Sequence, residues 1–316
     1  MIRAASLALI PLPALAQDFP LTIDTAFGAV TIPAPPERVA TVDYAGADNV
    51  LALGFQPLTV RKWFAPYPNE LWPWAQALSD ADPLLLDGDL DFEAIAATDP
   101  DVILAFRSGI TAADFARLNA IAPTVAIPPG HSDYDLDWTQ QAERAGLALG
   151  RVDEATAQIA AIEADLAATV AANPEWQGKT FAMMTWWDGS VGLYTPGDSS
   201  VKFMEGLGLT VHPAAVALSQ PDTFYVEISQ EVLPDLDADV IFWWAPASSP
   251  EIAAIVARQS MRAVAEGREI FLAPDSQVNG ALANGSLLSQ PIAIRLIADR
   301  LDAALDGDPT TPVPQE

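Results

Sequence analysis

The feature that constrains this chain most is an internal repeat. Glu93 lies in the helical stretch Leu90-Asp91-Phe92-Glu93-Ala94-Ile95, and nine residues later Val102-Ile103-Leu104-Ala105-Phe106 reads as a strand. At an offset of 138 residues the arrangement returns: Glu231 lies in Ile228-Ser229-Gln230-Glu231-Val232-Leu233, and Val240-Ile241-Phe242-Trp243-Trp244 follows nine residues later. A helix-to-strand unit that recurs at such a distance predicts two similar α/β lobes.

The stretches around the repeat agree. Residues 39–43 read as a short buried strand, 47–53 as a helix closed by Gly54, 112–121 as a helix and 124–127 as a strand. Strands alternating with helices call for parallel sheets covered on both faces. Between the two units, residues 138–149 and 152–172 read as helices, the second free of Gly and Pro until Pro174. A helix of about 20 residues is about 30 Å long, enough for a rigid strut between lobes. An ordinary surface helix within one lobe is the competing reading. The expected division is a leader at 1–16, an N-terminal lobe at 17–137, a helical linker at 138–173, a C-terminal lobe at 174–305 and a disordered tail at 306–316.

Composition narrows the function. The formal net charge of −27 repels the phosphate backbone that a nucleic-acid binder must neutralise. Zero cysteines exclude disulfides, thiolate metal sites, cysteine nucleophiles and a lipid-bearing cysteine, and two histidines leave little for an imidazole cluster. Met1-Ile2-Arg3, the apolar run after it and Ala14-Leu15-Ala16 read as an export leader cut after Ala16. No other stretch is long and apolar enough to span a bilayer. The expectation is an exported, soluble, monomeric protein without a covalent anchor or membrane insertion.

The order of motifs resembles a family. Residues Pro36-Glu37-Arg38-Val39-Ala40-Thr41-Val42-Asp43-Tyr44, Asn49-Val50-Leu51-Ala52-Leu53-Gly54, the run from Asp91 to Ala105, and Leu118-Asn119-Ala120-Ile121-Ala122-Pro123-Thr124-Val125 carry the resemblance in the first half. Ile228-Ser229-Gln230-Glu231, Leu236-Asp237-Ala238-Asp239-Val240 and the run from Met261 to Ile270 carry it in the second. Together they resemble the periplasmic substrate-binding proteins of ABC importers for iron-siderophore complexes, of the helix-linked type also found among cobalamin and haem binders. The resemblance implies two Rossmann-like lobes joined by a single long helix, a ligand cleft between them, and a small rocking motion. It also implies that Glu93 and Glu231, one on each lobe, dock onto arginines of the membrane permease. The bland reading is that both offset a helix dipole, with Ser229 as a cap.

In open α/β sheets ligands sit beyond the carboxyl ends of the strands. The residues there are Tyr44, the quartet Arg61-Lys62-Trp63-Phe64, Arg107, Trp186-Trp187 and Trp243-Trp244. A ferric siderophore offers flat faces and oxygen atoms, suited to aromatic walls and to arginine forks. The expected contacts are Tyr44, Arg61, Trp63, Arg107, Trp187 and Trp244, with one Trp of each pair packed under a helix. Lys62 and Lys202 are expected to be solvated, and the Trp72-Pro73-Trp74 segment to pack on its own loop. With the iron already coordinated by its chelator, neither a cofactor nor a protein metal ligand is expected. Bare zinc or manganese needs more histidines than His131 and His212, and the five tyrosines show no cluster for bare ferric ion.

An enzyme finds no support. There is no G-x-S-x-G elbow, and Gly206-Leu207-Gly208 ends a helical stretch instead of opening one. Asp87, Asp89 and Asp91 imitate a calcium loop, but Phe92 and Thr98 occupy the places of its Gly and Glu. A haem or cobalamin binder of the same fold, with Tyr44 as a haem ligand, and a non-transport sensor module remain as alternatives.

Overall fold

The computed structural model describes residues 17–131, 136–220 and 223–314. The expected leader, residues 1–16, lies outside them. The N-terminal lobe opens with the hairpin β1 (Leu21–Thr25) and β2 (Gly28–Ile32). It continues through β3 (Val39–Thr41), α1 (Gly46–Ala52), β4 (Thr59–Arg61), α2 (Pro73–Gln76), β5 (Leu84–Leu86), α3 (Phe92–Ala97), β6 (Val102–Ala105), α4 (Ala112–Ile121) and β7 (Thr124–Ala126). Strand β3 pairs with β6 and β6 with β7, all parallel, while β4 pairs in parallel with β5. The buried Thr59 joins the two groups: its hydroxyl donates to Thr41 O at 2.7 Å and accepts from Thr41 N at 2.9 Å. The strand order is therefore β5-β4-β3-β6-β7, which reverses direction of progress between β3 and β6.

Two helices follow, α5 (Trp138–Leu149) and α6 (Val152–Ala172). A capping box between Asp137 and Gln140 starts α5, and Gly150 in the left-handed region ends it. Ala142, Ala145, Ala148 and Leu149 sit in the N-terminal core, so α5 belongs to that lobe and the bridging element is α6 alone. Ala155, Ile159 and Ile162 of α6 join the same core, whereas Val170 packs against the core of the other lobe and Leu166 touches both.

The C-terminal lobe contains β8 (Thr180–Trp187), β9 (Ser190–Tyr194), α7 (Ser199–Gly206), β10 (Thr210–Val211), α8 (Pro213–Leu218), β11 (Tyr225–Ile228) and β12 (Val240–Trp244). After these come α9 (Pro250–Ala253), α10 (Arg262–Ala265), β13 (Glu269–Phe271), α11 (Gln277–Asn284) and α12 (Gln290–Leu305). Its sheet runs β11-β9-β8-β12-β13. Strand β12 is parallel to β8 and β13, as is β10 to the start of β8, but β9 pairs antiparallel with β8, and β11 antiparallel with β9. The sheet thus keeps the expected parallel strands at β10, β8, β12 and β13 and adds an antiparallel edge at β9 and β11.

The covalent bridge is one helix, yet the lobes meet again through the segment around α11 and α12. Leu287 and Ile294 enter the N-terminal core, while Ala293, Ile297 and Leu301 stay in the C-terminal one. Asp48 of α1, fully buried, accepts hydrogen bonds from Ser286 Oγ (2.7 Å), Asn284 Nδ2 (3.1 Å) and Trp74 Nε1 (2.9 Å). Trp72 is buried, stacks on Trp74, and lies so close to Gly280 of α11 that a Cβ there would overlap the indole. The Trp72-Pro73-Trp74 segment therefore packs across the lobe boundary instead of on its own loop. Past α12 the described part of the tail forms turns at Asp306 and Asp308, and Val313 packs against the C-terminal core, in place of the expected disorder. No helix among the described residues is long and apolar enough to cross a membrane.

Candidate functional site

The crevice at the switch between β3 and β6 is where a doubly wound sheet can admit a ligand without breaking backbone pairing. Beyond these strands two backbone amides tie the chain together: Arg107 N donates to the Asp43 carboxylate Oδ1 at 2.7 Å, and Tyr44 N donates to Arg107 O at 3.0 Å. Ala45 takes a left-handed conformation (φ 63°), and Gly46 follows where a Cβ would overlap Thr41. This tight corner holds Tyr44 at the mouth of the crevice.

The N-terminal wall is a connected stack. Tyr44 and Trp63 have centroids 5.7 Å apart, and Phe64 meets Trp63 edge-on at 4.4 Å. The Arg107 guanidinium lies 4.9 Å from the Trp63 centroid, and its Nη1 donates to Ala283 O at 2.7 Å across the lobe boundary. Arg61 takes a different position from the expected one. Its guanidinium packs 4.3 Å from the Tyr44 ring centroid and donates to Ser108 O at 2.5 Å, outside the lining of the cleft.

The C-terminal wall draws on the β8–β9 hairpin, the start of α7 and the end of β12. Asp188 and Gly189 both have positive φ (47° and 86°), the two-residue turn whose twist suits adjacent strands. Strand β8 therefore runs on through Trp186 and Trp187 instead of stopping at Thr185. Both border the cleft, which corrects the expectation that one would be tucked under a helix. Trp187 is 74% exposed. The next pair divides as expected: Trp243 is fully buried and donates to Glu269 Oε1 at 2.8 Å, while Trp244 borders the cleft beside Tyr194, 6.1 Å between centroids.

Together the walls enclose about 830 Å³, with an adjoining hollow of about 350 Å³ reached by Tyr44. The two spaces share Trp63, Arg107, Asp198, Ser199 and Phe224. A drug-sized chelate fits such a volume. Asp198 caps α7 by accepting from Ser200 N (2.8 Å) and Val201 N (3.2 Å); burial pushes its pKa up, and those bonds together with the charge of Arg107 pull it back. Burial, with help from Asp198 and Tyr225, pushes the Tyr194 phenol well above its ordinary value, which keeps it neutral. Among the described residues no group of three or more His, Asp or Glu is placed to hold a metal ion.

Of the six expected contacts, Trp63, Arg107, Trp187 and Trp244 line the larger space, Tyr44 the smaller, and Arg61 neither. Phe64, Trp186, Tyr194, Asp198 and Phe224 line the cleft without having been chosen. The Asp188-Gly189 pair was the available signal for Trp186 and Tyr194, since a two-residue turn fixes where both strands end. The expectation of a few fixed cations narrows to one, Arg107. Lys62 pairs with Asp87 at 2.8 Å on the surface.

Glu93 and Glu231 are both exposed in the first turn of their helical segments and do not line the cleft. Asp91 caps α3 by accepting from Ala94 N at 3.0 Å. Its counterpart, Gln230–Leu236, is a 3₁₀ helix with Pro234 inside, capped by Ser229.

Residues 39–275 match the periplasmic binding protein family. The probable siderophore-binding lipoprotein YfiY of Bacillus subtilis is 27% identical over 221 residues, 67% of this chain and 65% of that relative's length. A periplasmic solute binding protein from Mycobacterium smegmatis is 31% identical, with a TM-score of 0.77 over 90% of this chain and 97% of that one. PiaA from Streptococcus pneumoniae, solved in complex with ferrichrome, is 26% identical, with a TM-score of 0.77 over 91% of this chain and 99% of that one.

Proposed function

The chain belongs to the periplasmic binding protein family, and from that premise we propose that it captures a ferric siderophore between its lobes and delivers it to an inner-membrane ABC importer. It is a substrate-binding protein and not an enzyme. The observation that carries the ligand is the cleft of about 830 Å³ at the carboxyl ends of both sheets, walled by Trp63, Trp187 and Trp244, with Arg107 stacked among them. Flat aromatic faces suit the shell of a preassembled chelate, and an arginine fork suits its oxygen atoms. The names of YfiY and of the PiaA complex support the same cargo.

Glu93 and Glu231 are the permease contacts in this reading, each exposed at one position of the repeated unit. In the same reading, residues 1–16 act as a cleaved export leader. Titration of the processed protein with ferric siderophores, haem and cobalamin, followed by tryptophan fluorescence, tests the cargo. Saturable quenching by a ferric siderophore supports the assignment, and tighter binding of haem or cobalamin rejects it. In cells, the Glu93→Ala, Glu231→Ala double variant should bind normally yet lose iron uptake; full uptake would reject the docking role.

A further inference from the structure

Resting on the ferric-siderophore reading, we infer that this cleft selects chelates without net negative charge, the tris-hydroxamate class, over tris-catecholates and citrate-type carboxylates. Ferric ion held by hydroxamate monoanions is neutral, and a pendant amine makes such a complex cationic. The same ion held by dianionic catecholates keeps a triple negative charge. An anion of that size entering an apolar cleft gives up its hydration and must recover it from fixed cations and donors.

Fixed cations are what the cleft lacks. Arg107 is the single Lys or Arg among the described residues that line the two joined spaces, and the only Lys or Arg of the chain outside the described residues is Arg3. Part of its fork is committed to Ala283 O, and its face lies on Trp63. Two carboxyl groups, Asp198 and Glu251, line the same cavity. With Asp198 protonated the balance is neutral, and with it ionised the balance is negative; in neither state does the lining present net positive charge. The nearest reinforcements face elsewhere, Arg61 toward Ser108 and Tyr44, and Lys62 toward Asp87. The rest of the wall is mainly aromatic and proline surface, with neutral hydroxyl and amide groups between; of these, Thr185 Oγ1 donates to Trp244 O, Ser249 Oγ to Glu251 Oε2 and Asn279 Nδ2 to Leu272 O, while the aromatic faces are partly negative and attract cationic groups. A chain of net charge −27 adds nothing to draw an anion in.

The test is a fluorescence titration of the full processed chain with ferric ferrichrome, ferrioxamine B, a ferric tris-catecholate and ferric citrate at low and high salt. The hydroxamates should bind about 100-fold or more tightly than the catecholate, given how strongly like charges interact where water is sparse. Residual catecholate binding should strengthen as salt screens the repulsion, with ferrichrome binding unchanged. Glu251→Lys should narrow the gap between the two classes. Catecholate or citrate binding that matches or exceeds the hydroxamates, or that weakens with salt, overturns the charge inference while leaving the siderophore assignment standing. If no ferric chelate binds, the siderophore assignment itself fails, and this inference with it.

Discussion

In the N-terminal lobe every strand of the main sheet is parallel, and the cleft wall is built from loops that leave the strand ends. In the C-terminal lobe β8 continues past the point where its parallel neighbour β10 stops, turns at Asp188-Gly189 and pairs antiparallel with β9. The repeated helix-to-strand unit is common to both, but the finish differs. Loop residues need bracing, and the N-terminal wall has it: Tyr44 lies between Arg61 and Trp63, and Arg107 reaches over to Ala283. A hairpin braces itself through its backbone ladder, so Trp187 can stand largely in solvent. One lobe therefore contributes the fixed cation, and the other contributes the most open aromatic surface.

The sharpest way to break this contrast uses two neighbours on β12. Trp243 fills the C-terminal core and Trp244 faces the cleft, so Trp243→Ala should cost about 3–5 kcal/mol of stability by denaturant unfolding. Trp244→Ala should lose much less stability and instead weaken chelate binding. Equal losses of stability would mean that the two walls are not divided as described.

A smaller effect is expected at the boundary. Gly280→Ala drives a methyl group into the Trp72 indole, which is pinned by Trp74, and overpacking of this kind costs about 1–3 kcal/mol. A neutral result in thermal unfolding would show that the lobes touch only loosely there.

The smallest is a pH effect at Asp48. Burial raises its pKa, against the opposing hydrogen bonds from Ser286, Trp74 and Asn284. Because the folded value lies above the unfolded one, the folded state favours the proton. The associated stabilisation is complete below the unfolded value and is lost as pH rises through the folded value. Asp48→Asn keeps an oxygen acceptor without the charge, so its melting temperature relative to the native chain should climb as pH is raised out of the carboxylate range. A gap that stays flat with pH would place the ionisation of Asp48 outside the lobe contact.

Much of the architecture was legible in the chain itself. Helix α4 occupies the expected residues 112–121, where Thr111 and Asp114 form a capping box, and β6 and β12 occur at the positions the repeat announced. These depend on neighbours three or four places away, or on alternation along one strand, which a sequence displays directly. The Asp188-Gly189 turn was just as local but went unread, and with it the full reach of β8.

What the tertiary structure alone decided is which side chains face the cleft and how firmly the lobes are joined. Asp48 meets Ser286 across 238 positions of chain, and nothing near either residue announces the other. Arg61 and Arg107 look alike as residues just beyond strands, yet one turns behind Tyr44 and the other reaches between the lobes. Periodicity specifies an element because the forces are local. The direction of a long cationic side chain depends on which distant carbonyl and which ring the fold brings within reach.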